Sequence, residues 1–124
     1  ILISMDGEFI LCKWSKGMAV LNQRVGRLKS YRKINLDFLY FYLERPLRKI
    51  EQNTSATTVK HLSHSDVEEL EIPIPDYGTQ LQISNILSEM DLEINALENK
   101  LSKTKKLKQA LMQQLLTGKI RLVD

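Results

Sequence analysis

At 124 residues the chain has room for one modest domain plus an extended element, and no apolar run in it approaches the length of a membrane span. Its single cysteine, Cys12, excludes an internal disulfide and suits a reducing cytoplasm. The net charge of +3 by itself excludes little.

Ile1 is apolar, is not a Met and reads as part of a strand, so the chain is expected to begin inside a domain. No secretory signal is legible, since no basic region precedes residues 1–3. Asp6-Gly7 lies between two apolar runs, residues 1–5 and 8–12. That pattern predicts a hairpin with a type I′ turn, whose two central residues need positive φ. Cys12 sits in the second run and is expected to be a buried, inert thiol. Ser15-Lys16-Gly17 predicts another turn, residues 19–21 a short strand, and residues 22–29 an exposed strand edge or loop. Asn35 is the expected N-cap of a helix whose face is Leu36, Phe38, Leu39, Tyr42 and Leu43, ended or kinked at Pro46. Residues 53–58 read as a polar loop. Ser65 with Glu68 fits a capping box for a short helix reaching about Leu70. Ile72-Pro73-Ile74-Pro75 is extended, because each proline also restricts its predecessor. Thr79 with Gln82 fits a second capping box, and Gly118 is well placed as the C′ residue of the helix it opens.

That last helix is the strongest signal in the chain. Ile83, Leu87, Met90, Ile94, Leu97 and Leu101 recur in steps of four and three, and the same frame passes through Thr104 and Lys108 to Leu111 and Leu115. This is a heptad seam, which needs a partner to hide it. At 1.5 Å per residue, residues 79–117 span roughly 58 Å, more than a small domain can cover. Charge is distributed in blocks. Residues 13–60 carry eleven basic side chains against Asp37, Glu44 and Glu51; residues 61–99 carry nine carboxylates and no Lys or Arg; residues 100–124 carry seven basic side chains against Asp124. Such blocks suggest one surface for a polyanion and another for a charge-matched protein. Two helices laid antiparallel would set acidic halves against basic halves, so the charges select orientation while the Leu/Ile seam supplies affinity.

Asn22, Gln23, Arg24, Arg27 and Lys29, with Arg32 and Lys33, combine phosphate-neutralising charge with side chains that suit base edges. The residues alone are equally compatible with a solvated basic face. His61 and His64 are three apart, but no Cys pair or third ligand accompanies them, and a capping or solvated role is expected. Pro75-Asp76 and Glu98-Asn99-Lys100 formally match a Pro-Asp…Glu-x-Lys nuclease pattern. The match is rejected, because residues two apart diverge by about 200° on a helix. No phosphate loop, dinucleotide fingerprint or nucleophile elbow is present. No catalytic centre, metal or cofactor is therefore expected.

Leu21-Asn22-Gln23-Arg24-Val25-Gly26-Arg27-Leu28, Phe38-Leu39-Tyr40-Phe41-Tyr42-Leu43, Ile72-Pro73-Ile74-Pro75, Gln80 with Ile83 and Ile86-Leu87, and Gln113-Gln114-Leu115-Leu116-Thr117-Gly118-Lys119-Ile120 occur in this order. Together they resemble the specificity subunit of type I restriction–modification systems over nearly the whole chain. Thr79 departs from the Glu that often precedes Gln80 in that family. The chain is also shorter than the family's usual pair of recognition domains and pair of helices. The resemblance implies an α+β fold: a small mixed recognition domain, in part, over residues 1–78, one long C-terminal coiled-coil helix over 79–118, and a tail over 119–124. It implies sequence-specific recognition of double-stranded DNA in the cytoplasm by a non-catalytic subunit. That subunit docks methyltransferase subunits, which a restriction subunit joins, and its helices set the spacing between half-sites. With one helix per chain, an antiparallel homodimer would imitate the complete subunit. The residues expected at DNA are Asn22, Gln23, Arg24, Arg27 and Lys29, with Thr57, Thr58 and Lys60 from the loop before the short helix. The rival reading is a coiled-coil adaptor that binds protein and no DNA.

Overall fold

The computed structural model describes residues 1–30, 34–54 and 59–121. It is an α+β chain of two compact units, Ile1–Asn85 and Ile86–Asp124. The first unit holds a three-stranded sheet of β1 (Leu2–Ser4), β2 (Leu11–Cys12) and β3 (Val25–Arg27), then α1 (Leu36–Asn53) and α2 (His64–Glu68). α3 (Tyr77–Leu116) starts in this unit and runs through the second.

β1 is central, and both neighbours are antiparallel to it. Leu2 pairs with Cys12 and Ile3 with Leu11, so the hairpin is centred on Gly7. A two-residue turn at Asp6-Gly7 would have centred it between them. Two tertiary demands explain the shift. Met5 and Phe9, 5% and 6% exposed, both enter the core. Asp6 forms a β-bridge with His61, and the Gly7 N–H donates to the Lys60 carbonyl at 2.9 Å. Gly7, with φ +76°, supplies the left-handed backbone that the tip requires.

Alternation along β1 sends Ile3 and Met5 to the covered face and Leu2 to the other. The same alternation on β2 leaves Leu11 against the core and exposes Cys12, so the thiol is not buried as its apolar neighbours predict. Residues 19–21 form no strand, and Met18 and Val20 are fully exposed. β3 is one edge of the sheet, the first of the two alternatives, strand edge or loop, that its mixed polar sequence allows.

The core joins Ile3, Met5 and Phe9 of the hairpin to Leu39, Leu43 and Leu47 of α1 and to Leu62. The Asn35 side chain caps α1, accepting from the Phe38 N–H at 2.9 Å. Pro46 does not end this helix, which continues to Asn53. An interior proline costs about 3 kcal/mol. Continuing the helix keeps fully buried Leu47 in line with Leu43 and adds Ile50 beyond it, which offsets that cost. Lys13 ties the sequence after β2 to α1, its ammonium lying 2.7 Å from Asp37 and 4.6 Å from the Tyr40 ring centre.

Both later caps lie upstream of their expected positions. Ser63, not Ser65, opens α2, with Asp66 completing the reciprocal box. Ser63 follows directly on Leu62, which has no exposure, so core anchoring sets where this helix begins. α3 begins two residues before Thr79, and the Asp76 carboxylate accepts from both the Thr79 N–H and its hydroxyl. At the far end Gly118, with φ +69°, closes a Schellman motif: its N–H donates to the Leu115 carbonyl, and the Lys119 N–H donates to that of Gln114.

Gln80 is 1% exposed and staples three segments. Its Oε1 accepts from the Asn35 N–H and its Nε2 donates to the Pro75 carbonyl, both at 2.8 Å. The first turn of α3 is thereby fixed to the head of α1 and to the Pro-rich segment before it. Asn35 thus serves two partners, its side chain capping α1 and its N–H meeting Gln80.

The caps carry a pH signature. The Ser63 hydroxyl, with its backbone N–H, holds Asp66 below the usual carboxylate range; the Thr79 hydroxyl and N–H do the same for Asp76. A carboxylate depressed in the folded state contributes stability that is complete above its unfolded value, about pH 4, and is lost as pH falls through the folded value. Asp76→Asn is therefore expected to lower the thermal midpoint by more at pH 6 than at pH 2. A midpoint difference equal at both pH values would refute the assignment.

Candidate nucleic-acid interface

Residues 22–24 form the turn that enters β3. The Asn22 side-chain oxygen accepts from the Arg24 N–H at 3.0 Å, and the Asn22 carbonyl accepts from the Val25 N–H at 3.0 Å. The Arg24 carbonyl in turn accepts from the Met5 N–H at 2.9 Å, which fixes the turn to the end of β1. Asn22, Gln23 and Arg24 are all exposed. Arg27 and Lys29 follow two apart and are also exposed, with Arg27 opposite Leu2 on the sheet face away from Ile3. Gly26, just before Arg27, is buried, and a Cβ there would lie 2.9 Å from the Met5 sulfur. The exposed basic positions thus neighbour a position where any side chain would have to displace the buried Met5 sulfur.

The tip of the β1–β2 hairpin gathers residues far apart in sequence. The Asp6 carboxylate lies 3.3 Å from Arg24 Nε through one oxygen and 2.6 Å from His61 Nδ1 through the other. Nothing in the sequence signals this cluster. Asp6 reads as a turn former, and its contact with His61 spans 55 positions, beyond any local periodicity.

Lys60 reaches a different place. Its ammonium donates to the Glu51 carbonyl at 2.6 Å and lies 3.9 Å from the Glu51 carboxylate, satisfying the last turn of α1. The Lys60 main chain is beside Gly7, so residues 22–24 and residue 60 meet the same hairpin tip while the two basic side chains take separate partners. Thr57 and Thr58 lie outside the described residues, as do Arg32 and Lys33.

The outer sheet face beside this edge holds a concavity of about 720 Å³, lined by Leu2, Trp14, Met18, Val20, Leu21 and Val25, with Asn22 and Arg27 also on its wall. Among the described residues no group of three His, Cys, Asp or Glu side chains is placed to hold a metal ion, and no helix is long and apolar enough to cross a membrane.

α3 presents its seam unpaired. Met90, Ile94, Leu97 and Leu101 are each more than half exposed; Ile83, Leu111 and Leu115 are exposed to a lesser degree, and Leu87 is intermediate. Near the C-terminal end the apolar surface widens, where Leu107, Met112 and Leu116 flank Leu111 and Leu115. Among the described residues, the only buried side chains of the 40-residue helix are Gln80 and Ser84, both in its first turns.

The chain is 30% identical over its whole length to the EcoBI type I restriction enzyme specificity subunit of Escherichia coli, of which the match covers 27%. It is 30% identical over 92% of its length to the MjaVIII type I restriction enzyme specificity subunit of Methanocaldococcus jannaschii, of which the match covers 26%. It therefore spans about a quarter of the length of the curated relatives it matches. No solved structure matches it significantly. Residues 1–109 match the family described as the type I restriction modification DNA specificity domain, and the chain belongs to that family.

Proposed function

We propose that this chain reads a duplex DNA sequence as the specificity component of a type I restriction–modification complex and carries out no chemistry itself. The observation that carries the reading is the polar and basic turn at Asn22, Gln23 and Arg24 running into exposed Arg27 on an edge strand of the sheet and exposed Lys29 just beyond it. The turn is held by main-chain and Asx hydrogen bonds, so it presents amide and guanidinium groups from a fixed backbone. Such groups suit base edges, and cations beside them suit phosphates. The specificity-subunit names of the relatives support the same reading.

Residues 1–78 form the reading part in this proposal and residues 79–118 the spacer. The exposed seam of α3 takes a second, antiparallel helix, which sets the separation between two half-sites. The assembled pair docks methyltransferase subunits, joined by the restriction subunit. Lys60, whose ammonium engages Glu51, serves to hold the last turn of α1 more than to contact phosphate.

Duplex binding by the chain is expected to weaken steeply with salt. Arg27→Ala and Lys29→Ala should each flatten the log–log slope by about 0.9, because each variant leaves one more phosphate with its counterions. Lys60→Ala should leave the slope unchanged. A parent protein whose duplex binding is absent or independent of salt would overturn the function proposed.

A further inference from the structure

We infer that Asp6 is a positioning residue for DNA readout: by pairing with Arg24 at Nε it presets the guanidinium fork of Arg24 for the edge of a guanine in the major groove. The inference rests on the DNA-reading function proposed above and deepens it by naming a specificity determinant.

The geometry is asymmetric. The carboxylate approaches Arg24 most closely at Nε, at 3.3 Å, as an ion pair and not as a directed hydrogen bond. An ion pair built for stability would use the two-pronged fork–fork arrangement. Here the closest approach is at Nε, and among the described residues no hydrogen bond uses the two Nη groups. The Arg24 side chain is 67% exposed and the Asp6 side chain 23%, so the carboxylate is the fixed partner and the arginine the one being aimed. Asp6 is fixed from several directions. Its second oxygen meets His61 Nδ1 at 2.6 Å, its main chain bridges His61, and its carbonyl accepts from the Ser4 hydroxyl at 3.0 Å. The backbone of Arg24 is pinned as well, through Asn22 and Met5. The main chain at both ends of the pair is therefore held, which reduces the freedom to be lost when the fork meets its target.

Energetics favour the same conclusion. The pair with exposed Arg24 itself contributes little to folding, so this second contact of the carboxylate is not explained by stability. Near phosphates that carboxylate repels, lowering affinity for every sequence alike. Such a group is useful where it raises the ratio of right to wrong sequence rather than total affinity. Guanine is the base whose O6 and N7 accept from an arginine fork, and a well-placed bidentate contact discriminates by about tenfold or more.

The test is selection by the purified chain from a randomised duplex pool, using the parent, Asp6→Asn, Arg24→Lys and the double variant. The parent is expected to enrich a motif containing at least one guanine that Arg24→Lys no longer prefers. Asp6→Asn should cut the preference for that guanine by about two- to fivefold, while its affinity for an unrelated duplex holds or rises, since a negative charge has gone. In the Arg24→Lys background Asp6→Asn should have no further effect on preference. A guanine preference unchanged in Asp6→Asn, or an Asp6→Asn effect that persists at full size in the Arg24→Lys background, would overturn the inference and leave DNA reading intact. The second of those outcomes also captures a variant that merely unravels the hairpin tip. Failure of the parent to enrich any duplex would overturn both the inference and the function it rests on.

Discussion

Leu43→Ala is expected to cost the first unit about 2–5 kcal/mol, the range for emptying a leucine site in a tight core. Leu43 is 1% exposed and sits with Leu39 and Leu47 on the face of α1 that meets Ile3, Met5 and Phe9. The site has little freedom to collapse. Asn35 and Gln80 lock the head of α1, and Lys60 engages its last turn. The cavity should therefore persist, placing the cost toward the upper end of the range. Domains of this size hold only about 5–15 kcal/mol in total, so one such change removes a large share. Urea unfolding followed by amide exchange at Ile3 and Leu62 measures it. Leu97→Ala is the control. Leu97 is 59% exposed within one chain, so the same chemical change should leave the exchange of those two amides unaltered. A Leu43→Ala loss below about 1 kcal/mol would mean that α1 does not organise the core as described.

What could be read from the sequence was what depends on local spacing. The long helix followed from the four–three recurrence between Ile83 and Leu115, the α1 cap from Asn35 before an apolar face, and the sheet edge from the amides, cations and glycine at residues 22–29. Features set by distant contacts were not legible. Pro46 carries a stop signal that burial of Leu47 and Ile50 overrides. Cys12 lies in an apolar run, but strand alternation at a sheet edge turns it outward. Residues 19–21 have strand-like composition without a neighbouring strand to pair with. The two caps moved because Leu62 and Gln80 fix where their helices start, and neither residue marks itself as an anchor locally. At the candidate site the same division holds. The basic turn was visible, whereas Asp6 and His61 gain their significance only when the hairpin tip brings them to Arg24.

Replacing Leu97 by Asp is expected to abolish pairing of α3, and here the effect is doubled by symmetry. A seam leucine hidden by a partner contributes about 1.5–3 kcal/mol, and a two-fold pair hides each substituted position twice. The expected loss is therefore about 3–6 kcal/mol, or about two to four orders of magnitude in the dimer dissociation constant, before the cost of burying a carboxylate. Sedimentation equilibrium should find the parent self-associating at micromolar concentration and Leu97→Asp monomeric. Orientation is tested separately through charge. Glu89, Asp91, Glu93 and Glu98 occupy one half of the helix and Lys100, Lys103, Lys105, Lys106 and Lys108 the other. In an antiparallel pair each acidic half faces a basic half. Reversing Glu89 and Glu93 to Lys should then weaken pairing, and also reversing Lys105 and Lys106 to Glu should restore it. In a parallel pair like faces like in every one of these variants, so no such rescue arises. Each exposed ion pair contributes only about 0.2–1 kcal/mol, so the swing should be about tenfold at low salt and should fade as salt rises. The seam substitution should show no comparable salt dependence, because apolar burial is not screened. A parent that stays monomeric at micromolar concentration would refute the homodimer, and pairing without charge rescue would refute its antiparallel sense.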